Sequence, residues 1–205
     1  MISKLHYISQ ANPSHEEATK AACAAGVPMV QLRVKGENFE TWLTIAKSCK
    51  AICDQFNIPL LINDQIEIAR LVKANGVHLG KQDASPLEAR QILGENATIG
   101  GTANTFDDVL HLAKQGVDYI GLGPFRFTTS KDNLSPILGL EGYRKIIEQC
   151  QSEGISIPII AIGGILVDDI ETILATGVHG IAVASLVNEA QDKQKIVELI
   201  KEKLQ

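Results

Sequence analysis

The sequence predicts a single (β/α)8 barrel over residues 1–205, and three observations support this fold class. Short, β-rich apolar runs alternate eight times with amphipathic helical stretches, in units of about 25 residues. Several runs, such as PLLIN and IPIIAIGG, are apolar on both faces, which is typical of parallel strands covered by helices. Glycine also follows several predicted helices, where the left-handed conformation ends a helix: Gly26, Gly76, Gly116 and Gly177.

The predicted elements alternate along the whole chain. The strands are Leu5–Ser9, Met29–Val34, Leu60–Asp64, Gly76–Leu79, Thr98–Gly101, Tyr119–Gly123, Ile157–Ile162 and Gly180–Ala184. The helices are Glu16–Ala25, Phe39–Phe56, Gln65–Ala74, Pro86–Leu93, Phe106–Gln115, Leu140–Gln149, Asp168–Ala175 and Ala190–Leu204. Eight such units close naturally into a barrel. The main alternative, an open doubly wound sheet, usually carries a GxGxxG turn where this chain has SQANPSHEE.

Composition narrows the classes of function. The chain has 205 residues, a net charge of -5 and 45% hydrophobic residues, which suits one well-buried domain. This mild acidity and only 4% aromatic residues argue against a nucleic-acid partner. No stretch is long enough to span a membrane, and the first residues do not form a signal peptide, so we expect a cytoplasmic protein. The four cysteines are expected to be buried and reduced. The sequence is compatible with a homo-oligomer as well as with a monomer.

The active site of a barrel lies at the C-terminal ends of its strands, and cationic side chains follow the second predicted strand. Strand alternation places Gln31, Arg33 and Lys35 on one side. At a barrel mouth these residues would bind a phosphate or diphosphate. A solvated strand end is the alternative.

Two carboxylates follow the third and fourth strands. Asp64 and Asp83 have the oxygen ligands that Mg²⁺ takes together with substrate phosphates and waters. Asp is also a common helix cap, and capping of the next helix explains both positions equally well. His78 lies within the fourth strand, and we interpret it as a core histidine; a catalytic role is the less favoured alternative.

Further anion-binding groups follow the later strands. The long loop after the sixth strand carries Thr128, Thr129, Ser130 and Lys131, a combination that also suits a solvated loop. Gly163-Gly164 after strand seven and Ser185 after strand eight occupy the positions where barrels often bind phosphate. A tight turn that needs glycine is the alternative there. No Ser-His-Asp arrangement is visible, which favours metal and electrostatic catalysis.

The ordered strand-end motifs resemble those of the thiamine-phosphate synthase (thiamine-phosphate pyrophosphorylase) family. The resemblance covers nearly the whole chain, from about Tyr7 to about Leu186, and it rests on six motifs. They are QLRVK at 31–35, IND at 62–64, GVHLGKQD at 76–83, DYIGLGPFRFTTSK at 118–131, AIGGI at 161–165 and VAS at 183–185.

The resemblance implies a reaction and a role for each site residue. The family joins an aminomethylpyrimidine diphosphate to a thiazole phosphate and releases pyrophosphate by a dissociative mechanism. The carboxylated form of the thiazole phosphate is a possible alternative substrate. The implied pyrimidine diphosphate ligands are Gln31, Arg33, Lys35, Asn63, Thr102 and Lys131, with Arg33, Lys35 and Lys131 also catalytic. The implied Mg²⁺ ligands are Asp64 and Asp83. The implied thiazole phosphate ligands are Thr128, Thr129, Ser130, Gly164, Ala184 and Ser185.

The chain departs from the commoner family pattern at a few positions. Thr102 stands where serine is usual, and Ser130 where threonine is usual, so both keep a hydroxyl. Val34 replaces a frequent acidic residue. Arg126 is an addition that could contact a phosphate, although we expect it to face solvent.

Three other functions remain as alternatives. A thiazole tautomerase of the same fold tends to lack the diphosphate and metal residues and carries a histidine after the sixth strand, where this chain has Gly123-Pro124-Phe125. A sugar-phosphate epimerase or isomerase would use His78 and Asp64 as acid and base, but leaves the cationic second strand unexplained. A non-catalytic binding protein of the thiamine pathway has no need of charged groups at every relevant strand end.

Overall fold

The fold is a closed parallel barrel, described by a computed structural model over residues 1–127 and 136–205. The strands are hydrogen-bonded in sequence order and β1 pairs with β8, which closes the barrel. The strands are β1 (Leu5–Ile8), β2 (Val30–Leu32), β3 (Leu60–Asn63), β4 (Gly76–Leu79), β5 (Thr98–Ala103), β6 (Tyr119–Leu122), β7 (Ile159–Ile162) and β8 (Gly180–Val183). The predicted (β/α)8 fold class is confirmed.

Helices follow the strands and surround the barrel. They are α1 (His15–Ala24), α2 (Phe39–Gln55), α3 (Ile66–Val72), α4 (Pro86–Leu93), α5 (Phe106–Lys114), α6 (Gly139–Ser152), α7 (Ile170–Leu174), α8 (Ser185–Asn188) and α9 (Lys193–Lys203). A 3-10 turn, Val167–Asp169, precedes α7. No helix in the described part of the chain is long and apolar enough to cross a membrane.

Two hydrophobic clusters hold the barrel together. The larger one fills the space between the barrel wall and the helices and includes Leu32, Ile62 and Ile120. The smaller one lies inside the barrel and is contributed by alternate strand positions: Ile8, Met29, Leu61, Tyr119, Ile160 and Ala182. This alternation follows from the two-residue period of a strand, so the next inward positions along the chain lead up to the mouth.

Strand glycines leave room for rings inside the barrel. A Cβ at Gly100 would lie 2.2 Å from Cζ of Tyr119, and one at Gly121 would lie 2.9 Å from Cε1 of His78. Both rings are therefore accommodated by the absence of a side chain on another strand: Gly100 lies on β5, next to the strand of Tyr119, and Gly121 lies on β6, two strands away from that of His78.

The helix ends agree with the prediction at most of the positions named above and differ at one. Thr105 is the N-cap of α5, as its position before FDDV suggests, and it forms a capping box with Asp108. Gly26, Gly116 and Gly177 have positive φ after their helices, as predicted. Gly76 does not, because α3 ends earlier at a left-handed Lys73.

The end of β8 also differs from the prediction. The chain enters the short helix α8 at Ser185, where the sequence predicts a loop, and the last helix begins at Lys193 and not at Ala190. Four residues are too few for a helical period to be visible in the sequence, which explains why α8 was missed. Ser185 is consequently the first residue of a helix, and its peptide N–H has no partner within that helix.

Candidate active site

One pocket of about 510 Å³ lies at the C-terminal ends of the strands. This size lies within the range of small-molecule sites. Every predicted site residue that lies in the described part of the chain lines it: Gln31, Arg33, Lys35, Asn63, Asp64, Asp83, Thr102, Gly164, Ala184 and Ser185. The barrel topology brings these residues together from six strand ends that are far apart in sequence.

The cationic group comes from the end of β2. Gln31 is buried, Arg33 is half-buried and Lys35 is exposed, so the three side chains rise from the barrel interior to its rim. The peptide N–H of Arg33 donates to Oγ of Ser9 over 3.2 Å, and that hydroxyl lies 3.0 Å from Nδ1 of His15. Burial lowers the pKa of His15, so the ring favours its neutral form. These contacts fix the backbone at the point where β2 leaves the barrel.

The two carboxylates are not helix caps. Gln65 and Ser85 occupy the N-cap positions of α3 and α4, so the capping interpretation of Asp64 and Asp83 is wrong. Asp64 has a φ of 66°, an uncommon conformation for a residue with a side chain. Oδ2 of Asp83 accepts from the peptide N–H of Gly80 over 2.6 Å.

The donor chemistry of this pair fits a divalent cation. Both carboxylates are exposed at the rim and line the pocket that Arg33 and Lys35 line. No group of three or more His, Cys, Asp or Glu with metal-ligand geometry occurs in residues 1–127 and 136–205. Mg²⁺ needs no such cage, because one or two carboxylates suffice when substrate phosphates and waters complete the shell.

His78 connects the pocket to the barrel interior. Its Nδ1 lies 2.9 Å from the hydroxyl of Tyr119, and its Nε2 lies 2.9 Å from Oγ1 of Thr102. Burial raises the pKa of Tyr119, which a hydrogen bond with Gln31 partly offsets, so the phenol stays protonated. Both ring nitrogens of His78 are thus engaged with hydroxyls that titrate far from neutral pH. This arrangement suits orientation of Thr102 better than the proton transfer that an epimerase would require.

The opposite side of the mouth is formed by backbone. Gly163 and Gly164 have φ values of 107° and 63° in the turn after β7, and both line the pocket. Ala184 and Ser185, at the end of β8 and the start of α8, line the same pocket. Peptide N–H groups at a helix start and a glycine turn are common partners of phosphate in barrels.

Comparison with known proteins assigns the chain to a family. The sequence profile described as thiamine monophosphate synthase matches residues 5–187. The chain belongs to the thiamine monophosphate synthase family. The predicted family is therefore confirmed.

Individual members of the thiamine monophosphate synthase family agree with this assignment. The thiamine-phosphate synthase of Flavobacterium johnsoniae is 42% identical over 206 residues, covering 100% of this chain and 97% of that protein. That of Bacteroides fragilis is 48% identical over 182 residues, covering 88% and 89%. The solved structure of thiamine phosphate pyrophosphorylase from Pyrococcus furiosus superposes with a TM-score of 0.85 at 31% identity, covering 98% and 95%.

Arg126 makes a contact that the sequence does not indicate. Its side chain is 40% exposed, which agrees with the expected solvent-facing position, and it also forms an ion pair with Asp169 at 2.7 Å. The ion pair joins the loop after β6 to the segment after β7.

Part of the predicted site cannot be compared with the structure. Thr128, Thr129, Ser130 and Lys131 lie outside the described residues, so their roles remain predictions. The ligand roles of the other site residues also remain predictions, although their common location is established.

Sequence reasoning missed the residues that support the site of this family member from behind. Ser9 and His15 lie in none of the six motifs, and Tyr119 lies in the motif at 118–131 without a role assigned to it; each acts through a neighbour. Gly100 and Gly121 were the available signal, since glycine inside a strand often marks the close approach of another group.

Proposed function

We propose that this chain is a thiamine-phosphate synthase, which condenses an aminomethylpyrimidine diphosphate with a thiazole phosphate to give thiamine phosphate and pyrophosphate. One observation carries the proposal. A single pocket combines two cationic side chains and two carboxylates on one side with a glycine turn and a helix start on the other. Such a pocket suits two phosphorylated substrates, of which the more highly charged would lie beside Arg33 and Lys35.

The proposed reaction breaks the bond between the pyrimidine methylene carbon and the diphosphate oxygen. Both electrons leave with the diphosphate, and the thiazole nitrogen lone pair then forms the new bond to carbon. Arg33 and Lys35 would bind the leaving diphosphate and stabilise its growing charge, which is where fixed cations lower a barrier most. Lys131 would act with them, as the family resemblance implies.

The pyrimidine ring would lie over the floor of the pocket. Gln31, Asn63 and Thr102 line that floor and offer amide and hydroxyl groups to the ring. His78 would hold the hydroxyl of Thr102, since these two side chains are 2.9 Å apart. The phosphate of the thiazole would lie against Gly164, Ala184 and Ser185, with Thr128, Thr129 and Ser130 approaching from the loop.

The proposal includes Mg²⁺ held by Asp64 and Asp83. Bound there, the cation would neutralise diphosphate charge and make it a better leaving group. The proposal does not depend on a cage of protein ligands, because the diphosphate itself would supply oxygens.

Location in the cytoplasm is part of the same proposal. The four cysteines are buried and carry no disulfide, although Sγ of Cys23 and Sγ of Cys53 are only 4.0 Å apart. Thiols in such proximity are typical of a reducing compartment. Fractionation of the source cells would test the location.

Light scattering of the purified protein would test whether it forms a homo-oligomer.

The function is tested by mixing purified protein with both substrates and Mg²⁺ and measuring thiamine phosphate and pyrophosphate. We expect both products in equal amounts with Mg²⁺ and none with excess EDTA. Asp64→Asn and Asp83→Asn should each reduce turnover, whereas Asp54→Asn, an exposed carboxylate on α2 paired with Lys50, serves as the matched control.

A second measurement separates metal binding from turnover. Calorimetric titration of the pyrimidine diphosphate into wild type should show tighter binding with Mg²⁺ than without, and this difference should vanish in Asp64→Asn. A folded wild type that makes no thiamine phosphate would refute the synthase proposal. Interconversion of thiazole tautomers by that protein would favour the tautomerase instead.

A further inference from the structure

An ion pair joins two loops of the mouth, and the proposed function does not use it. Nη2 of Arg126, after β6, donates to Oδ1 of Asp169, after β7, over 2.7 Å. Nη1 of the same guanidinium donates to the carbonyl oxygen of Gly164 over 3.1 Å. The guanidinium carbon also lies 5.0 Å from the centre of the Phe125 ring. Arginine can make these three contacts at once because its guanidinium is planar and rich in donors.

The acceptor of this ion pair is itself held in place. The side chain of Asp169 is 17% exposed, and its Oδ2 accepts from the peptide N–H of Leu166 over 2.8 Å. One carboxylate therefore binds the arginine with one oxygen and the segment after the glycine turn with the other. Such a pair is restrained more than an exposed ion pair between two flexible side chains.

The arginine stem packs directly on the glycine turn. A Cβ added at Gly164 would lie 2.5 Å from Cγ of Arg126. The backbones are also joined, because the N–H of Arg126 donates to the carbonyl of Gly163 over 3.1 Å. The turn is thus held by the backbone of Arg126 on one side and by its guanidinium on the other.

We propose that Arg126 and Asp169 are positioning residues that hold the Gly163-Gly164 turn in its binding conformation and so set the affinity for the thiazole phosphate. This inference rests on the proposed function, in which Gly164 contacts that phosphate. Arg126 acts through the turn and not by touching the phosphate, since Asp169 neutralises its charge and directs its guanidinium toward the turn. The pyrimidine diphosphate side, across the pocket, is independent of this pair.

The test measures kcat and the KM of each substrate for Arg126→Gln, Asp169→Asn and the double variant. We expect each single variant to raise the KM for the thiazole phosphate about tenfold, with the KM for the pyrimidine diphosphate unchanged. The double variant should resemble the single variants, because removing either partner already breaks the contact. Lys203→Gln and Glu171→Gln are matched controls, since they break a 2.7 Å ion pair that reaches α7 from α9.

Amide hydrogen exchange of the substrate-free protein gives a readout that does not depend on activity. The amides of Gly164, Ile165 and Leu166 should exchange faster in Arg126→Gln and in Asp169→Asn than in wild type or in the Lys203 control. Unchanged exchange would overturn the inference. A KM effect confined to Arg126→Gln would also overturn it, because it would show that the arginine contacts the substrate directly. If wild type makes no thiamine phosphate, the proposed function fails, and the exchange result alone decides whether the pair holds the turn.

Discussion

On the β2–β4 side of the barrel mouth, charged side chains line the pocket, whereas on the β7–β8 side the lining is mostly backbone. Arg33, Lys35, Asp64 and Asp83 carry full charges that exist in any conformation of the chain. Gly163, Gly164 and Ala184 offer their peptide groups, whose direction depends on the backbone conformation, and Ser185 adds a hydroxyl. Affinity on the first side therefore depends on which residues are present, and affinity on the second side depends on how the backbone is held.

Neutralising a cation on the charged side should give the largest effect. Arg33→Gln keeps a polar side chain but removes the charge and the bidentate donors and shortens the reach. We expect kcat/KM for the pyrimidine diphosphate to fall about 100- to 1000-fold, as when a preorganised transition-state donor is removed. Steady-state kinetics with each substrate varied in turn measure this. Arg70→Gln, which breaks an exposed pair with Glu67 on α3, should leave the kinetics unchanged.

The barrel interior supports both sides of the mouth. A change there should therefore alter the free energy of unfolding without changing the KM of one substrate relative to that of the other. Burial lowers the pKa of His6 from 6.5 to about 4, against a raising effect of the Ser3 carbonyl. The unfolded chain therefore binds the proton first, and stability present above pH 6.5 is lost as the pH falls toward 4. The loss from His6 at pH 5 is about 2 kcal/mol.

Urea unfolding at pH 7 and pH 5 measures the contribution of His6. The free energy of unfolding of wild type should fall by about 2 kcal/mol more than that of His6→Gln, which cannot titrate but can still donate to Ser3. Equal pH dependence in the two proteins would show that His6 does not titrate as its burial requires. At pH 7 the ratio of the two KM values should be the same in both proteins.

On the backbone side, a single methyl group should act through conformation. Gly164→Ala places a Cβ against Cγ of Arg126 at a φ of 63°. We expect a KM for the thiazole phosphate about tenfold higher, with the pyrimidine diphosphate little affected. Gly154→Ala, where φ is 68° and no atom lies within 4 Å, imposes the same strain without the contact. If both variants raised the KM equally, general destabilisation and not the turn would explain the effect.

The same contrast explains what the sequence could predict. Charged residues at strand ends can be recognised in the sequence itself, so the sequence predicts that Arg33, Lys35, Asp64 and Asp83 share one pocket, and they do. Strand and helix alternation likewise predicted the barrel, because period and burial are local properties of the chain.

Contacts between distant loops were not visible in this way. The pairing of Arg126 with Asp169 spans 43 residues, and nothing local to either position indicates it. Helix α8 is too short to show a period, and the capping interpretation of Asp64 failed because the cap is the next residue. Properties that depend on tertiary approach, and not on local pattern, therefore had to come from the structure.

The smallest expected effect is a difference in stability between two variants of Asp64, which distinguishes the role of its charge from that of its left-handed backbone. Asp64 has a φ of 66°, which costs a side-chain-bearing residue about 1 kcal/mol relative to glycine. Asp64→Gly and Asp64→Ala should lose activity to the same extent, because both remove the carboxylate. Asp64→Gly should nevertheless be about 1 kcal/mol more stable than Asp64→Ala in urea unfolding. Lys73, with a φ of 52° and no place in the pocket, is the control: its glycine and alanine variants should differ in stability alike while both stay active. Retained activity in Asp64→Gly would show that the position needs a left-handed backbone and not a carboxylate. Binding at this position on the charged side of the mouth would then depend on backbone conformation, as it does at the glycine turn.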